Sequence, residues 1–539
     1  MQAAGEHVPW SGSTRVAAPR VALADVLSRS TTAWLLVGSL TVAGLVLRLI
    51  VADQALFADE LSTFWIVTDH RLFDMFSVVH GNAEITPPLF FVLSWVTAHV
   101  SHSEELIRAP SLAAGAATIP LVYLLGLRTV GRTAALVATA FTAFSPFAIY
   151  YAAEARAYAV MMMFVVISTL ALLLALERRG AGWWVVYALA SCLAMYSHYT
   201  CVFLLAMQFA WVLWTQPGAR RPAVLANLGA ALLFAPWASG ARNDLTSPTA
   251  EILSVISPFT VDSVTTSLLH WAIGHPYSYV PLDGLPGVPA LAVGAAGLLV
   301  AVAGCASALT RSRGRSGGVA WGERELRLAL VVALAASVPA GTMLASAVGD
   351  NIFGVRNLAA SWPALALAIA ALVTAAGPRL RYLSTGLTVL AVVIAGMTML
   401  SDDYARPDHK ATAEYIERRI APGDVVIDAT ALISPGPLST IDTTLDPGIP
   451  IVRAGAPAQR ERPFNVFDHL VSNEEAFAQA VRTAPGKRVF YVSTEPPESP
   501  GYERRLRALE GTGSSFGYGR VSRRTFPGIN EAQVDIFQP

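Results

Sequence analysis

The sequence predicts a polytopic α-helical membrane protein of about eleven spans, followed by a C-terminal extracytoplasmic α/β domain. Three observations predict it. The 539 residues are 54% hydrophobic and only 14% charged, whereas a soluble domain carries ~25% charged residues. Apolar runs of span length recur between residues 32 and 400. After that the chain turns polar, with strand-like runs such as DVVIDA and RVFYVS and a helix pattern at SNEEAFAQAV. A formal net charge of +0 leaves no basic excess for a nucleic acid partner. The three cysteines, Cys192, Cys201 and Cys305, fall in apolar runs and read as small buried hydrophobes rather than a disulfide or metal framework.

The expected spans lie near 32–52, 107–127, 133–151, 157–176, 183–199, 201–214, 222–239, 287–309, 327–347, 357–376 and 383–400. The first has no small-residue cleavage site after it and reads as a retained anchor. The segment PPLFFVLSWVTAHV at 87–100 is short and opens on two prolines, which favours a helix lying at the interface over one that crosses. With that segment kept outside the count, the arginines fall in alternate loops. Arg15, Arg20 and Arg29 precede the first span, and Arg128 with Arg132, Arg178 with Arg179, Arg220 with Arg221, the group Arg311, Arg313, Arg315 and Arg324, and Arg379 with Arg381 follow in turn. The positive-inside rule places all of these in the cytoplasm. The expected organisation is a cytoplasmic tail at 1–31, a membrane body at 32–400 with a large first outer loop at 53–106, and an outer α/β domain at 401–539.

The polar residues worth attention then share the outer face. Asp59 and Glu60 follow the first span in LFADELSTFW, and acidic residues at membrane depth are costly enough to suggest function; a solvated loop start is the plain alternative. Glu154, Arg156 and Tyr158 interrupt two apolar runs in SPFAIYYAAEARAYAV, and in helical geometry Glu154 and Tyr158 share a face. An interfacial aromatic belt would explain the tyrosines but explains Glu154 poorly. Arg356 stands in a short outer turn where arginine is scarce; its planar fork suits a phosphate, with a salt bridge to Asp350 as the alternative. His198 and Tyr199, at an outer span end, carry a weaker signal, and His80, Glu84 and Arg108 weaker still.

Taken in order, these pieces resemble the bacterial branch of the protein O-mannosyltransferase family, membrane glycosyltransferases of the GT-C fold. The resemblance runs through Asp59-Glu60, PPLFFVLSW from Pro87, EELIRAPSLAAGAATIPLVYLLGLRTVGR from Glu104, SPFAIYYAAEARAYAV from Ser145, SHYT from Ser197, VRNLAASWPALALA from Val355 and RPDHKATAEYI from Arg406. It implies a sugar carried on a polyprenyl phosphate and transferred with inversion to a glycan, glycolipid or protein acceptor on the outer face of the plasma membrane. Asp59 is the expected catalytic base. Glu60, Arg108, Glu154, Arg156, Tyr158, His198, Tyr199 and Arg356 are expected at the donor phosphate or acceptor, with Arg356 leading for the phosphate and Arg156 and Arg108 as helpers. Glu154 could orient the acceptor, hold the base or join a cation site; a divalent cation, if used, would fall to Asp59 and Glu154. Many relatives carry a His before the Pro-Pro step, where this chain has Thr86. An Ala- and Val-rich, Lys-poor composition of the kind a GC-rich genome encodes makes mannose or arabinose the expected sugars. A transporter or flippase for lipid-linked sugars is the rival reading, weakened by the lack of paired halves with broken helices. A non-catalytic scaffold on the same fold is a third.

Overall fold

An α-helix satisfies its own backbone hydrogen bonds, so apolar runs of span length fold as helices wherever water is absent. The computed structural model describes residues 31–81, 84–100, 103–178, 180–247, 258–274, 280–312, 322–430, 438–455, 471–495 and 500–539. Arg15, Arg20, Arg29, Arg179, Arg313 and Arg315 lie outside the described residues. Among those described, eight helical stretches are long and apolar enough to cross a membrane: Thr31–Ala52, Glu104–Thr129, Tyr158–Arg178, Pro217–Thr246, Asp283–Ser307, Glu323–Val348, Val355–Thr374 and Leu380–Thr398. The pair Arg132–Phe144 and Pro146–Ala153, bent by 54°, makes a ninth. Ala181–Ser197 and Cys201–Thr215 are apolar but shorter, at 17 and 15 residues. These helices coincide with the eleven expected runs, and the chain is a multi-pass membrane protein.

The bent pair shows how a break is tolerated at membrane depth. Ser145 leaves helical geometry and its side chain caps Ala148, with Pro146 as the first helical residue. Carbonyls exposed by the break are taken up by Arg48 of the first helix, which is buried and donates to Thr142 O at 2.8 Å and Ala143 O at 3.2 Å. Close approach around it requires a glycine: a Cβ on Gly115 would lie 2.2 Å from the Ala152 Cβ.

The loops gather at two ends. At one, Arg128 and Arg327 both pair with Glu177, each at 2.8 Å. At the other, Arg108, one turn into its helix, donates to the carbonyl of Ala52, the last residue of the first helix, at 2.6 Å. The loop between these two helices therefore leaves and returns at one end of the bundle, with the ten-residue helix Leu89–Ala98 inside it. The cysteines are free; Cys192 and Cys201 are buried as expected and Cys305 is half-buried.

The C-terminal region forms a five-stranded sheet of β1 (Val425–Ala429), β2 (Ile451–Arg453), β3 (Val489–Glu495), β4 (Gly519–Phe526) and β5 (Glu531–Gln538), ordered β2-β1-β3-β5-β4. The first three strands of that order are parallel, and β5 and β4 complete it antiparallel. Alternation along the strands puts Val425, Ile427 and Tyr491 into one core, under the helix Asn473–Thr483, and Val426, Phe490 and Val492 into another, under His409–Glu417. The expected strands DVVIDA and RVFYVS are β1 and β3, and SNEEAFAQAV starts a helix through a Ser472–Glu475 capping box.

Candidate active site

The segment after the first helix is built around a carboxylate that never meets water. Glu60 is 0% exposed. Arg108 grips it with Nε at 2.8 Å and Nη2 at 2.7 Å, the backbone N–H of Ala155 donates to it at 2.7 Å, and Arg406 adds a third cationic donor through Nη1. Burial raises the Glu60 carboxyl, but the charges of Arg108 and Arg406 and the donated hydrogen bonds outweigh it and hold the group at about 2. The remaining donors of Arg108 go to the carbonyls of Ala52, Gln54 and Ala55. All five N–H groups of that guanidinium are thus engaged, and it is 0% exposed. Glu60 and Arg108, expected to touch a ligand, instead frame the loop that presents Asp59.

Asp59 opens the helix Asp59–Thr68 next to Ala58, whose φ of 50° is a conformation that side-chain-bearing residues rarely adopt. Its carboxylate is paired with Arg356, and the two side chains remain 29% and 27% exposed. The Arg356 partner is therefore Asp59, 297 residues away in sequence, and not Asp350. Burial raises the Asp59 carboxyl, yet the charges of Arg356 and Arg156 and the hydrogen bond from Arg356 bring it below the usual carboxylate range.

Glu154 and Tyr158 do not share a helix face. The helix stops at Ala153, Glu154 is extended (φ −93°, ψ 136°), and helix resumes at Tyr158. The Ala155 N–H that would continue the helical ladder donates to Glu60 instead, so tertiary bonding overrides an Ala-rich sequence with high helix propensity. In that break Arg156 is buried against Glu84, at 2.6 and 3.0 Å, and Nη2 also donates to the Thr86 hydroxyl at 3.0 Å. Thr86 therefore belongs to this ion pair. Glu84 is the partner that its weak sequence signal concealed. Glu154 is buried, and its Oε2 accepts no hydrogen bond among the described residues. Burial foremost, then the negative charges of Glu60 and Asp59, push it up to about 8 against the opposing arginines.

Tyr158 packs against the His198 ring at 5.3 Å and against Tyr151 at 4.7 Å. Burial and the charges of Arg156 and Arg356 push His198 down to about 3, so its imidazole is neutral at physiological pH. Tyr199 points elsewhere: its hydroxyl donates to Asp244 and accepts from Trp237 Nε1 at 2.9 Å. The tyrosines lead to an apolar cavity of about 350 Å³ between helices, through Phe147 (4.7 Å from Tyr151) and Trp362 (stacked on Phe147 at 6.2 Å), which lines it with Phe141, Leu298 and Ala391. Among the described residues no three or more His, Cys, Asp or Glu side chains are grouped to hold a metal ion. The donors proposed for a cation, Asp59 and Glu154, are respectively paired with arginine and biased toward the neutral acid, a poor fit to a divalent ion.

Residues 86–239 match the model of the family described as dolichyl-phosphate-mannose-protein mannosyltransferase. That stretch carries Thr86, Arg108, Glu154, Arg156, Tyr158, His198 and Tyr199, while Asp59, Glu60, Arg356 and Arg406 lie outside it. No curated protein matches the chain. Among solved structures it is similar to ArnT from Cupriavidus metallidurans bound to undecaprenyl phosphate, at 14% identity over 94% of this chain and 98% of that one, with a TM-score of 0.43. It is also similar to the oligosaccharyltransferase AglB from Archaeoglobus fulgidus in complex with an inhibitory peptide and a dolichol-phosphate, at 12% identity over 91% of this chain and 73% of that one, with a TM-score of 0.48.

The state of Glu154 can be read from stability. Between the ordinary carboxyl value of 4.5 and about 8 the folded chain keeps a proton that the unfolded chain has lost, so this group's contribution is complete below 4.5 and is lost as pH rises to 8. Glu154→Gln should melt above wild type at pH 8 and together with it near pH 4.5. Equal offsets in thermal-shift curves at both pH values would place the carboxyl at an ordinary pKa.

Proposed function

We propose that the chain is an inverting glycosyltransferase that takes a sugar from a polyprenyl-phosphate donor and passes it to a cell-envelope glycan, glycolipid or protein. The observation that carries this reading is the Asp59–Arg356 pair, a base and a phosphate-binding fork in contact at the end of the bundle and still partly exposed. The family match over the adjoining helices supports the choice of donor class. Mannose or arabinose is the proposed sugar.

In this reaction an acceptor hydroxyl attacks the anomeric carbon, the bond from that carbon to the phosphate oxygen breaks, and the electron pair leaves with the polyprenyl phosphate. Asp59 takes the hydroxyl proton. Arg356 turns its fork from Asp59 to the phosphate and stabilises the charge that develops there. The exchange is productive in both directions, because a carboxylate relieved of its arginine becomes a stronger base. The leaving group is a phosphate, weakly basic enough to depart as the anion, so no second carboxylic acid must protonate it, in contrast to glycoside hydrolysis. Arg156, fixed by Glu84 and Thr86, keeps positive charge beside the pair, and the neutral His198 beside Tyr158 offers hydrogen bonds to a sugar hydroxyl. The apolar cavity behind Trp362 suits a prenyl chain.

The proposed division is a transferase body at 32–400 and an outer domain at 401–539. The Arg128 and Arg327 end would be cytoplasmic by the positive-inside rule, with the Asp59 end outside. In a Cys305→Ser background, a membrane-impermeant maleimide should label Arg418→Cys on intact cells and leave Gly218→Cys unlabelled; the reverse pattern would invert the orientation.

Purified protein in lipid, offered labelled polyprenyl-phosphate mannose and arabinose with native membrane acceptors, should transfer one of the two. Asp59→Asn should lower the rate by about 10²-fold or more, and Arg356→Ala by about 10²-fold. Full transfer by both variants would remove the assigned roles. Movement of an intact donor across vesicles without transfer would favour the flippase.

A further inference from the structure

We propose that Arg406 is a positioning residue through which the C-terminal α/β domain sets the geometry of Asp59. The proposal rests on the reading of Asp59 as the base. Arg406 belongs to the link between the last membrane helix, Leu380–Thr398, and the helix His409–Glu417 of the outer domain. Its side chain enters the membrane body, is 3% exposed, pairs with Glu60 and lies over the Tyr150 ring at 5.3 Å. Its own backbone N–H donates to Gln54 Oε1 at 3.0 Å. The outer domain holds the backbone of the same segment at two further points. Lys410 Nζ donates to Asp53 O at 2.6 Å and Thr440 Oγ1 donates to Leu56 O at 3.0 Å.

These anchors, at residues 53, 54, 56 and 60, surround Ala58 and Asp59. A residue with a side chain keeps a positive φ only when its surroundings over-determine it. Here the inner surroundings come from Arg108 and Ala155 of the membrane body, and the outer ones from Arg406, Lys410 and Thr440. The outer domain is thus fastened to the loop that carries the base. A domain that only presented an acceptor would have no need to send a guanidinium into the buried carboxylate next to Asp59. A shift of Asp59 by a fraction of an ångström changes its reach to an acceptor hydroxyl while leaving the donor's contacts with Arg356 and the apolar cavity largely in place. Loss of Arg406 should therefore appear in kcat rather than in the donor KM.

The test uses the full chain in lipid with synthetic prenyl-phosphate mannose and prenyl-phosphate arabinose as donors. Arg406→Met should lower kcat by about 30-fold, with the donor KM within about twofold of wild type. Asp59 is faced by Arg356, Arg156, Glu60, Glu154 and Tyr158, and the Glu60 charge raises its carboxyl; Arg406 offsets that charge from the other side of Glu60, so its removal should also move the acid limb of the kcat profile to higher pH. Arg406→Lys should recover part of both effects. Hydrogen exchange of residues 53–60 should accelerate in Arg406→Met while the membrane helices stay protected. Thr440→Val, which removes only the bond to Leu56, should show the same local acceleration and a kcat loss of about threefold, and it decides the matter if Arg406→Met does not fold. Wild-type kcat and wild-type exchange in these variants would overturn the proposal, as would an activity loss that follows the melting temperature without a move of the pH limb. If the folded wild type transfers neither sugar, the functional reading fails and the positioning role falls with it. If Asp59→Asn stays active, only the choice of base fails, and Arg406 loses its target.

Discussion

Burying a charge far from water is costly unless partners surround it, and Glu60 is a fully buried carboxylate at the meeting point of three parts of the chain. Its partners come from the start of the helix Glu104–Thr129 (Arg108), the break before the Tyr158 helix (Ala155 N–H) and the link to the C-terminal α/β domain (Arg406). None of the three can move away without leaving an unpaired group in a dry site. The break at 154–157 follows from the same constraint, because the Ala155 amide is diverted from the helix. Glu154 and Arg156 are in turn placed by that break. Asp59 inherits its backbone position as the residue before Glu60.

How much of this was legible in the sequence depended on contrast. Eleven apolar runs stood out against short polar loops, and each is helical where it was expected, the third as a pair bent at Ser145. The short, Pro-Pro-led segment 87–100 was expected to leave the chain on one face, and the contact of Arg108 with Ala52 brings the two ends of that loop together. Asp59, Glu154, Arg156 and Arg356 were visible because a charge at a span end is rare enough to notice. Their pairings were not visible. Glu60 meets Arg108 across 48 residues and Arg406 across 346, and no local pattern encodes either contact. Periodicity even misled at Glu154 and Tyr158, where helix propensity predicted one face and a tertiary hydrogen bond won. Glu84 looked like an ordinary loop acid until Arg156 and Thr86 closed around it.

The charges of this site divide into sealed ones and partly open ones. Glu60, Arg108 and Arg406 are sealed from solvent, whereas Asp59 and Arg356 keep about a quarter of their side-chain surface open. Glu154 sits between the two groups, biased toward its neutral form, and can donate a hydrogen bond where an ionised neighbour could only accept one. The aromatic run from Tyr158 to Trp362 links this polar end to the apolar cavity, so a ligand with a charged head and a long hydrocarbon tail matches both.

The most direct test of the central claim follows the donor's own atoms. Phosphorus and carbon NMR of a prenyl-phosphate sugar of defined anomeric configuration, turned over by the purified chain, should show the phosphodiester becoming a phosphomonoester as the sugar appears on the acceptor with the opposite configuration. A donor that stays a phosphodiester, or a product that keeps the donor's anomeric configuration, would contradict direct attack by an acceptor activated at Asp59.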